Sequence, residues 1–158
     1  MKNVFFYETE IGKIMIAENG TAITNLYFRE KADVKDDITV KETDLLKEAN
    51  RQLQEYFEGN RKSFDLPLDP SGTEFQMKCW KALQEIPYGE TRSYGEIAKR
   101  IGNPKAPRAV GLSNNRNPIS IFIPCHRVIG ANGKLVGYAG GLNVKEYLLN
   151  MEKQNADR

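Results

Sequence analysis

Histidine is almost absent from this 158-residue chain, which carries a single one, His126. Cysteine occurs twice, at Cys79 and Cys125. Two thiols cannot build the disulfide framework of a small secreted scaffold, and they lack the spacing of metal ligands. No stretch approaches the roughly 18 consecutive apolar residues of a membrane span. The opening MKNVFFYETE has no long apolar region followed by a small-residue cleavage site. These absences point to a cytoplasmic protein, nuclear if its source is eukaryotic, kept in reducing surroundings. Internal repeats and low-complexity segments are missing as well. Net charge is small: 23 Lys and Arg stand against 21 Asp and Glu, giving +2, a balance that does not by itself indicate nucleic-acid binding. The average hides a basic middle. Between Tyr88 and Arg127 the chain carries Arg92, Lys99, Arg100, Lys105, Arg108, Arg116 and Arg127 against only Glu90 and Glu96.

With 40% hydrophobic and 28% charged residues, the composition is that of a globular chain able to bury a core without staples. Short apolar runs at Val4–Tyr7, Ile14–Ala17 and Ile23–Phe28 predict a small antiparallel sheet, with Asn19-Gly20 as a tight hairpin because both residues tolerate positive φ. Leu45, Ala49, Leu53 and Tyr56, widened by Leu46 and Phe57, recur at helical spacing, and Gly59 offers a stop. The run Leu66–Gly72, LPLDPSG, reads as a linker, so a first module of residues 1–66 is expected to precede a second of 67–158.

In the second module Thr73–Gln76 has a capping-box pattern opening a helix that buries Phe75, Cys79, Trp80 and Leu83. Ser93–Glu96 makes a second box before a short helix stopped at Gly102-Asn103-Pro104. A further helix runs from about Pro107 to Asn115, with proline in its permitted first turn. The pair forms a helix-turn-helix. Ile119–Ile123 reads as a buried strand or extended segment delivering Pro124-Cys125-His126-Arg127 to the surface. Asn132-Gly133 predicts a small hairpin, and Asn143 with Glu146 starts a last helix that turns Val144, Tyr147, Leu148 and Met151 inward. The fold class expected is α/β or α+β: a small N-terminal antiparallel sheet plus helix, joined to a mainly helical domain.

Cys125 adjoins His126 and Arg127, and cations near a cysteine favour its nucleophilic thiolate. Adjacency alone does not decide the matter, because successive side chains on an extended segment point to opposite faces. By local pattern Cys125 reads equally as a buried small hydrophobe. A histidine acting as base needs an orienting acceptor, and Glu152 on the last helix can supply it. Cys79 lies on an apolar helix face and reads as packing.

From Phe75 to Glu152 the chain carries FQMKCWKAL, IPYGETRSYGEIA, NPKAPRAVG, NRNPI, IPCHRVIG and GYAGGLNVKEYLL in order. In these motifs it closely resembles the O6-alkylguanine-DNA alkyltransferase family; residues 1–66 match only loosely. The resemblance implies DNA repair by irreversible transfer of an alkyl group from guanine O6 in double-stranded DNA to Cys125, once per molecule, without cofactor or metal. It implies that Glu152 orients His126 and that His126, through water, helps deprotonate Cys125. It further implies that Tyr94 donates to the departing guanine, that Lys145 lies near the active-site carbonyls, and that Asn117 supports the turn below the cysteine. Val128, Tyr138 and Ala139 would border the base. Arg108 would fill the space left by the flipped nucleotide, with the small residues Ala109, Gly111 and Ser113 allowing close approach to DNA and Arg116 nearby. The resemblance implies a monomer, with several copies able to line up along DNA, and residues 1–66 as a support domain. A cysteine hydrolase is a competing class but lacks any signal for a peptide or ester pocket. A noncatalytic damaged-DNA binder is another, and such relatives lack the reactive cysteine.

Overall fold

The computed structural model describes residues 1–28 and 37–157, and the chain falls into two units, Met1–Ser71 and Gly72–Arg158. Among the described residues no helix is long and apolar enough to cross a membrane.

The first unit contains strands β1 (Lys2–Thr9), β2 (Gly12–Glu18), β3 (Ile23–Phe28) and β4 (Ile38–Val40) in the order β3-β2-β1-β4. The first three pair antiparallel, whereas β4 adds to β1 in parallel. The sheet is therefore mixed rather than wholly antiparallel. A three-residue edge strand is too short to show the alternation by which strands are recognised. Central β2 is buried from Ile14 to Glu18. On one face Met15 and Ala17 cluster with Val4, Phe6 and Tyr27; Ile14 and Ile16, of opposite parity, are buried on the other.

Asn19-Gly20 does turn the chain, but in a four-residue loop. Asn19 Oδ1 accepts from the Thr21 and Ala22 amides at 3.1 and 3.0 Å, and the strand register shifts at Ala17/Glu18. The tight connection is Glu10-Ile11, where Thr9 faces Gly12.

Helix α1 (Asp44–Phe57) packs on β1 and β2. Thr43 caps it by accepting from the Leu46 amide, and Leu46, Ala49, Leu53 and Tyr56 are buried on one stripe. At its end Gly59 takes φ +80°, its amide donates to Tyr56 O, and the Asn60 amide donates to Glu55 O, a Schellman closure that needs a residue tolerant of positive φ. The segment after it belongs to this unit further than the proline pattern suggests. Ile23 N–H donates to Pro67 O and Asp69 N–H to Ile23 O, both at 2.8 Å, so the boundary falls after Ser71 rather than after Leu66.

The second unit runs α2 (Glu74–Leu83), β5 (Arg92–Ser93), α3 (Tyr94–Arg100), α4 (Pro107–Asn115), one 3-10 turn at Cys125–Arg127, β6 (Val128–Ile129) and α5 (Leu142–Asn155). Both capping boxes form: Thr73 and Gln76 exchange bonds of 3.1 and 2.9 Å, and Ser93 and Glu96 do the same at 3.1 and 2.9 Å. Helix α4 packs against α2 and α3, and Trp80 Nε1 donates to Ser113 O at 2.8 Å in the buried seam. Strands β5 and β6 pair in parallel, joining Arg92 to Val128 and Ser93 to Ile129.

Three local expectations fail here. Ile119–Ile123 is buried but is not a regular strand: Ser120 and Ile123 form an isolated bridge across a turn, with Ile121 at φ +73° and Ile123 N–H donating to Ile119 O. An apolar run reports burial, not conformation, and here side-chain hydrogen bonds supply what strand partners would. Asn132-Gly133 turns the chain, with Gly133 at φ +82°, but no strands flank it as a hairpin. Helix α5 starts at Leu142 behind Gly141 with no side-chain cap, so Asn143 lies inside the helix. Tyr147 is 40% exposed, and the inward face is Lys145, Leu148, Met151 and Glu152.

Trp80 is 1% exposed and carries both packing and a buried hydrogen bond. Trp80→Ala is expected to cost ~3–5 kcal/mol of unfolding free energy, read as a lower denaturant midpoint. A loss within the range of surface substitutions would contradict this placement of the α2–α4 seam.

Candidate active site

Cys125, His126 and Arg127 share one 3-10 turn entered from Pro124. Three residues per turn set successive side chains about 120° apart, so neighbours need not be divided between two opposite faces. The turn is interior rather than at the surface as the apolar run before it suggests: Cys125 is 3% exposed, His126 and Arg127 are also buried, and contacts to α5 hold the turn down.

Glu152 of α5 is the centre of those contacts. Its Oε2 lies 2.7 Å from His126 Nε2 and accepts from Arg127 Nη2 at 3.0 Å; its Oε1 accepts from Arg127 Nε at 2.8 Å and from the Gly89 amide at 3.3 Å. Burial opposes ionisation of this carboxyl, but hydrogen bonds from His126 and Arg127 and the Arg127 charge outweigh it and hold the group well below the usual carboxylate range. An ionised carboxylate only accepts, so His126 Nε2 carries the hydrogen and Nδ1 is the ring's acceptor. Burial lowers the His126 value, the Glu152 carboxylate partly restores it, and Arg127 and Lys145 lower it further. The imidazole is thereby neutral at neutral pH.

The sulfur of Cys125 lies among polar groups. Burial pushes its thiol up, while hydrogen bonding with Asn117 and Ser120 and the charge of Lys145 pull it down. Asn117 also braces the preceding turn, donating from Nδ2 to Ile123 O at 2.8 Å and accepting at Oδ1 from the Ile119 amide at 3.0 Å. Asn114 Nδ2 donates to Cys125 O at 3.2 Å. These bonds complete the backbone of a segment that has no sheet to join.

Tyr94, at the start of α3, and Lys145 of α5 converge on one acceptor: the phenol donates to Val136 O at 3.0 Å and the ammonium at 2.9 Å. Burial lowers the Lys145 value, opposed by Cys125. Burial and then the charge on Cys125 raise the Tyr94 value, and the same causes, with Glu152, raise that of Tyr138. Both phenols therefore feel the charge of a Cys125 thiolate. Val128 is fully buried in β6, whereas Ala139 is exposed. A groove along α2 and α3, lined by Glu85, Arg92, Glu96 and Arg100 among others, shares no residue with this cluster.

Arg108 on α4 and Arg116 at its C-cap are exposed, and Ala109 and Gly111 partly so. A Cβ added at Gly111 would lie 3.8 Å from the Tyr94 ring, so this helix sits directly against α3. Ser113 departs from expectation: at 4% exposed it faces α2, and its side chain bonds to Cys79. Leu112 instead occupies the open face, 62% exposed. Among the described residues no three His, Cys, Asp or Glu side chains gather into a group able to hold a metal ion.

Residues 74–154 match the family model described as the DNA-binding domain of 6-O-methylguanine DNA methyltransferase, and residues 5–70 match its ribonuclease-like domain. The chain belongs to the 6-O-methylguanine DNA methyltransferase family. It is 59% identical over 148 residues to a methylated-DNA–protein-cysteine methyltransferase of Methanosarcina acetivorans, covering 92% of this chain and 95% of that one. With the constitutive Bacillus subtilis protein of the same name the identity is 53% over 152 residues, covering 92% of each. The crystal structure of Mycobacterium tuberculosis OGT in complex with DNA superposes with a TM-score of 0.91 at 49% identity, covering 97% of this chain and 94% of that one. The methyltransferase likeness therefore extends through the N-terminal unit, which the sequence motifs alone matched only loosely.

Within this methyltransferase fold the structure brings Cys125, His126, Glu152, Tyr94, Lys145, Asn117 and Tyr138 together, and adds Arg127, Ser120 and Asn114. Arg127 was legible as a cation beside the cysteine, but its partner stands 25 positions away. Asn114 and Ser120 give no local signal of their own.

The depressed His126 value has a consequence for folding. In the unfolded chain the imidazole takes a proton near its ordinary value of 6.5, whereas the folded chain resists it. The unfolded state thus binds more protons between the two values, and stability is lost as pH falls through that window. Glu152, also depressed, adds its own loss only below the ordinary carboxylate value of 4.5. Denaturant titrations are expected to show stability falling as pH drops from neutral toward 5.5–6, roughly the lower flank of histidine titration, with the slope flattened in His126→Gln. An unchanged slope in that variant would contradict a neutral buried imidazole.

Proposed function

We propose that this chain repairs DNA by moving an alkyl group irreversibly from O6 of a damaged guanine onto Sγ of Cys125, one lesion per molecule. The observation that carries the proposal is the arrangement at the 3-10 turn: a neutral imidazole with its Nε2–H committed to Glu152 at 2.7 Å and its Nδ1 left as acceptor, one residue from a thiol. The Cys125 proton passes through water to His126 Nδ1. The sulfur attacks the alkyl carbon, the S–C bond forms, and the C–O6 bond breaks with its electron pair remaining on guanine. Tyr94 donates to the departing base, turning from Val136 O, while Lys145 holds that carbonyl and favours the thiolate by its charge. A thioether has no good leaving group, so water does not regenerate the thiol.

Asn117 keeps the turn below the cysteine in place. Val128, Tyr138 and Ala139 border the base, which enters where the two phenols stand beside the sulfur. A stacked base cannot reach a thiol this deep, so the nucleotide leaves the helix first. Arg108 fills the vacated space, Ala109 and Gly111 let α4 approach closely, and Arg116 meets the phosphates. Ser113, turned inward, is left out of this surface. The relative from Mycobacterium tuberculosis whose structure holds DNA supports DNA as the partner, double-stranded in this proposal. The protein acts as a monomer wherever its DNA lies, with the first unit as support.

Intact-protein and peptide mass analysis after incubation with an O6-methylguanine duplex is expected to place one methyl group on Cys125. Cys125→Ala should bind the same duplex and gain no mass. Binding without added mass in the unaltered chain would overturn the proposal. Arg108→Ala is expected to slow repair of duplex DNA by about tenfold or more, the order of a lost contact worth 1–3 kcal/mol, while leaving reaction with free O6-benzylguanine near its original rate. Equal losses on both substrates would mark Arg108 as structural.

A further inference from the structure

Arg127 is buried, and each of its three guanidinium nitrogens donates a hydrogen bond. Nε and Nη2 fork onto the two Glu152 oxygens at 2.8 and 3.0 Å, Nη1 donates to Ile86 O at 2.8 Å, and Cζ lies 5.7 Å from the centre of the Tyr88 ring. Glu152 Oε2 is shared between this fork and His126 Nε2. We infer that Arg127 is a positioning residue for the alkyl transfer: by neutralising and orienting Glu152 it keeps His126 an uncharged base facing Cys125. The inference rests on Cys125 being the alkyl acceptor.

The argument is one of charge count in a buried cluster. Arg127 and Glu152 cancel, so the cluster is neutral when His126 is neutral. It stays neutral when a proton moves from Cys125 to His126. Without Arg127 the buried carboxylate would be uncompensated, and the least costly remedy is to protonate the imidazole it touches. A protonated His126 cannot accept the thiol proton. The other groups around the ring do not replace the lost charge. Lys145, on the same helix as Glu152, also lowers the His126 value, but by less than Arg127 does, and its ammonium is held on Val136 O at 2.9 Å rather than on the carboxylate. Cys125 and Tyr138 are acids, and from α2 the titratable side chain on the buried face is Cys79, bonded to Ser113. Geometry points the same way, because a planar fork fixes both carboxylate oxygens in one plane as a single ammonium would not.

The test measures single-turnover methyl transfer from an O6-methylguanine duplex across the histidine range and well above it, for the unaltered chain, Arg127→Met and Arg127→Lys. In parallel, NMR follows the titration of the chain's one histidine. Arg127→Met is expected to raise the His126 midpoint by about one unit, making transfer up to about tenfold slower below the midpoint of the unaltered chain and returning it toward the original rate in alkali. Arg127→Lys should keep the midpoint near that of the unaltered chain, because the charge remains. Adding Glu152→Gln to Arg127→Met should bring the midpoint back down, because the uncompensated carboxylate is gone. If Arg127→Met does not fold, Arg127→Gln, which keeps a donor to Glu152 but no charge, carries the same comparison. A uniform loss at every pH with an unmoved histidine midpoint would make Arg127 merely structural and overturn the inference. Absence of transfer by the unaltered chain would instead remove the acceptor role of Cys125, on which the inference stands.

Discussion

A carboxylate with no access to water, Glu152, is the constraint around which the second unit is arranged. It accepts from the Gly89 amide, from Arg127 twice, and from His126, so it joins the turn after α2, the 3-10 turn and α5, segments up to 63 positions apart. A buried charge left unpaired costs several kcal/mol, which makes these contacts obligatory rather than optional. The same contacts fix the tautomer of His126, and through it the direction in which the imidazole can take a proton. Folding and chemistry thus draw on one set of bonds, and a substitution that disturbs either is expected to disturb both.

The helices around this centre are placed by simpler means. Two reciprocal capping boxes set the starts of α2 and α3, Trp80 fastens α2 to α4 by packing and by its bond to Ser113 O, and the close fit of Gly111 on Tyr94 sets α4 against α3. The outcome is that Tyr94, inside the site, and Arg108, on the open face, belong to helices in direct contact. In the function proposed above, that adjacency would let one surface engage a duplex while an extruded base reaches the sulfur. Leu112 stands on this face one turn beyond Arg108, an apolar group among cations, suited to lie against sugars and base edges rather than phosphates.

The parts of this architecture that depend on neighbours in sequence were legible in advance. Capping residues three apart, the proline at the start of α4 and the stripe on α1 all act over a single turn, so their patterns carry the structure with them. What was misread depends on backbone conformation and on which side chain turns inward, neither of which residue type alone reports. Ile119–Ile123 is as apolar as a strand, but its amides and carbonyls are met by Asn117 and by a tight turn. Asn143 and Glu146 have the spacing of a capping box, yet Gly141 turns the chain into α5 two residues earlier. Tyr147 was assigned to the core by hydrophobicity, whereas the face that turns inward is chosen by Lys145 and Glu152, the two residues an apolar count would place outside. Among site residues, Cys125, His126 and Glu152 could be named from motif and chemistry and Arg127 as a nearby cation, but the partners of Arg127, Ser120 and Asn114 could not, because nothing local says which oxygen or nitrogen they meet.

The inward placement of Lys145 and Glu152 carries a last consequence. They are seven residues apart on one helix face, hence about 10 Å along its axis. The positive end acts on Cys125, favouring its thiolate, and the negative end acts on His126, favouring its imidazolium. A proton leaving sulfur for the ring therefore moves away from a cation and toward an anion. Neither group must reorganise as it does so, since each is already held by protein hydrogen bonds, and fixed charges of this kind are most effective where water is excluded. Arg127 limits the negative end: with it, the field helps the transfer; without it, the same carboxylate would load the imidazole with a proton from solvent before the thiol could supply one. In the proposed mechanism, the buried charges are thus balanced so that the imidazole is unprotonated before the thiol supplies its proton.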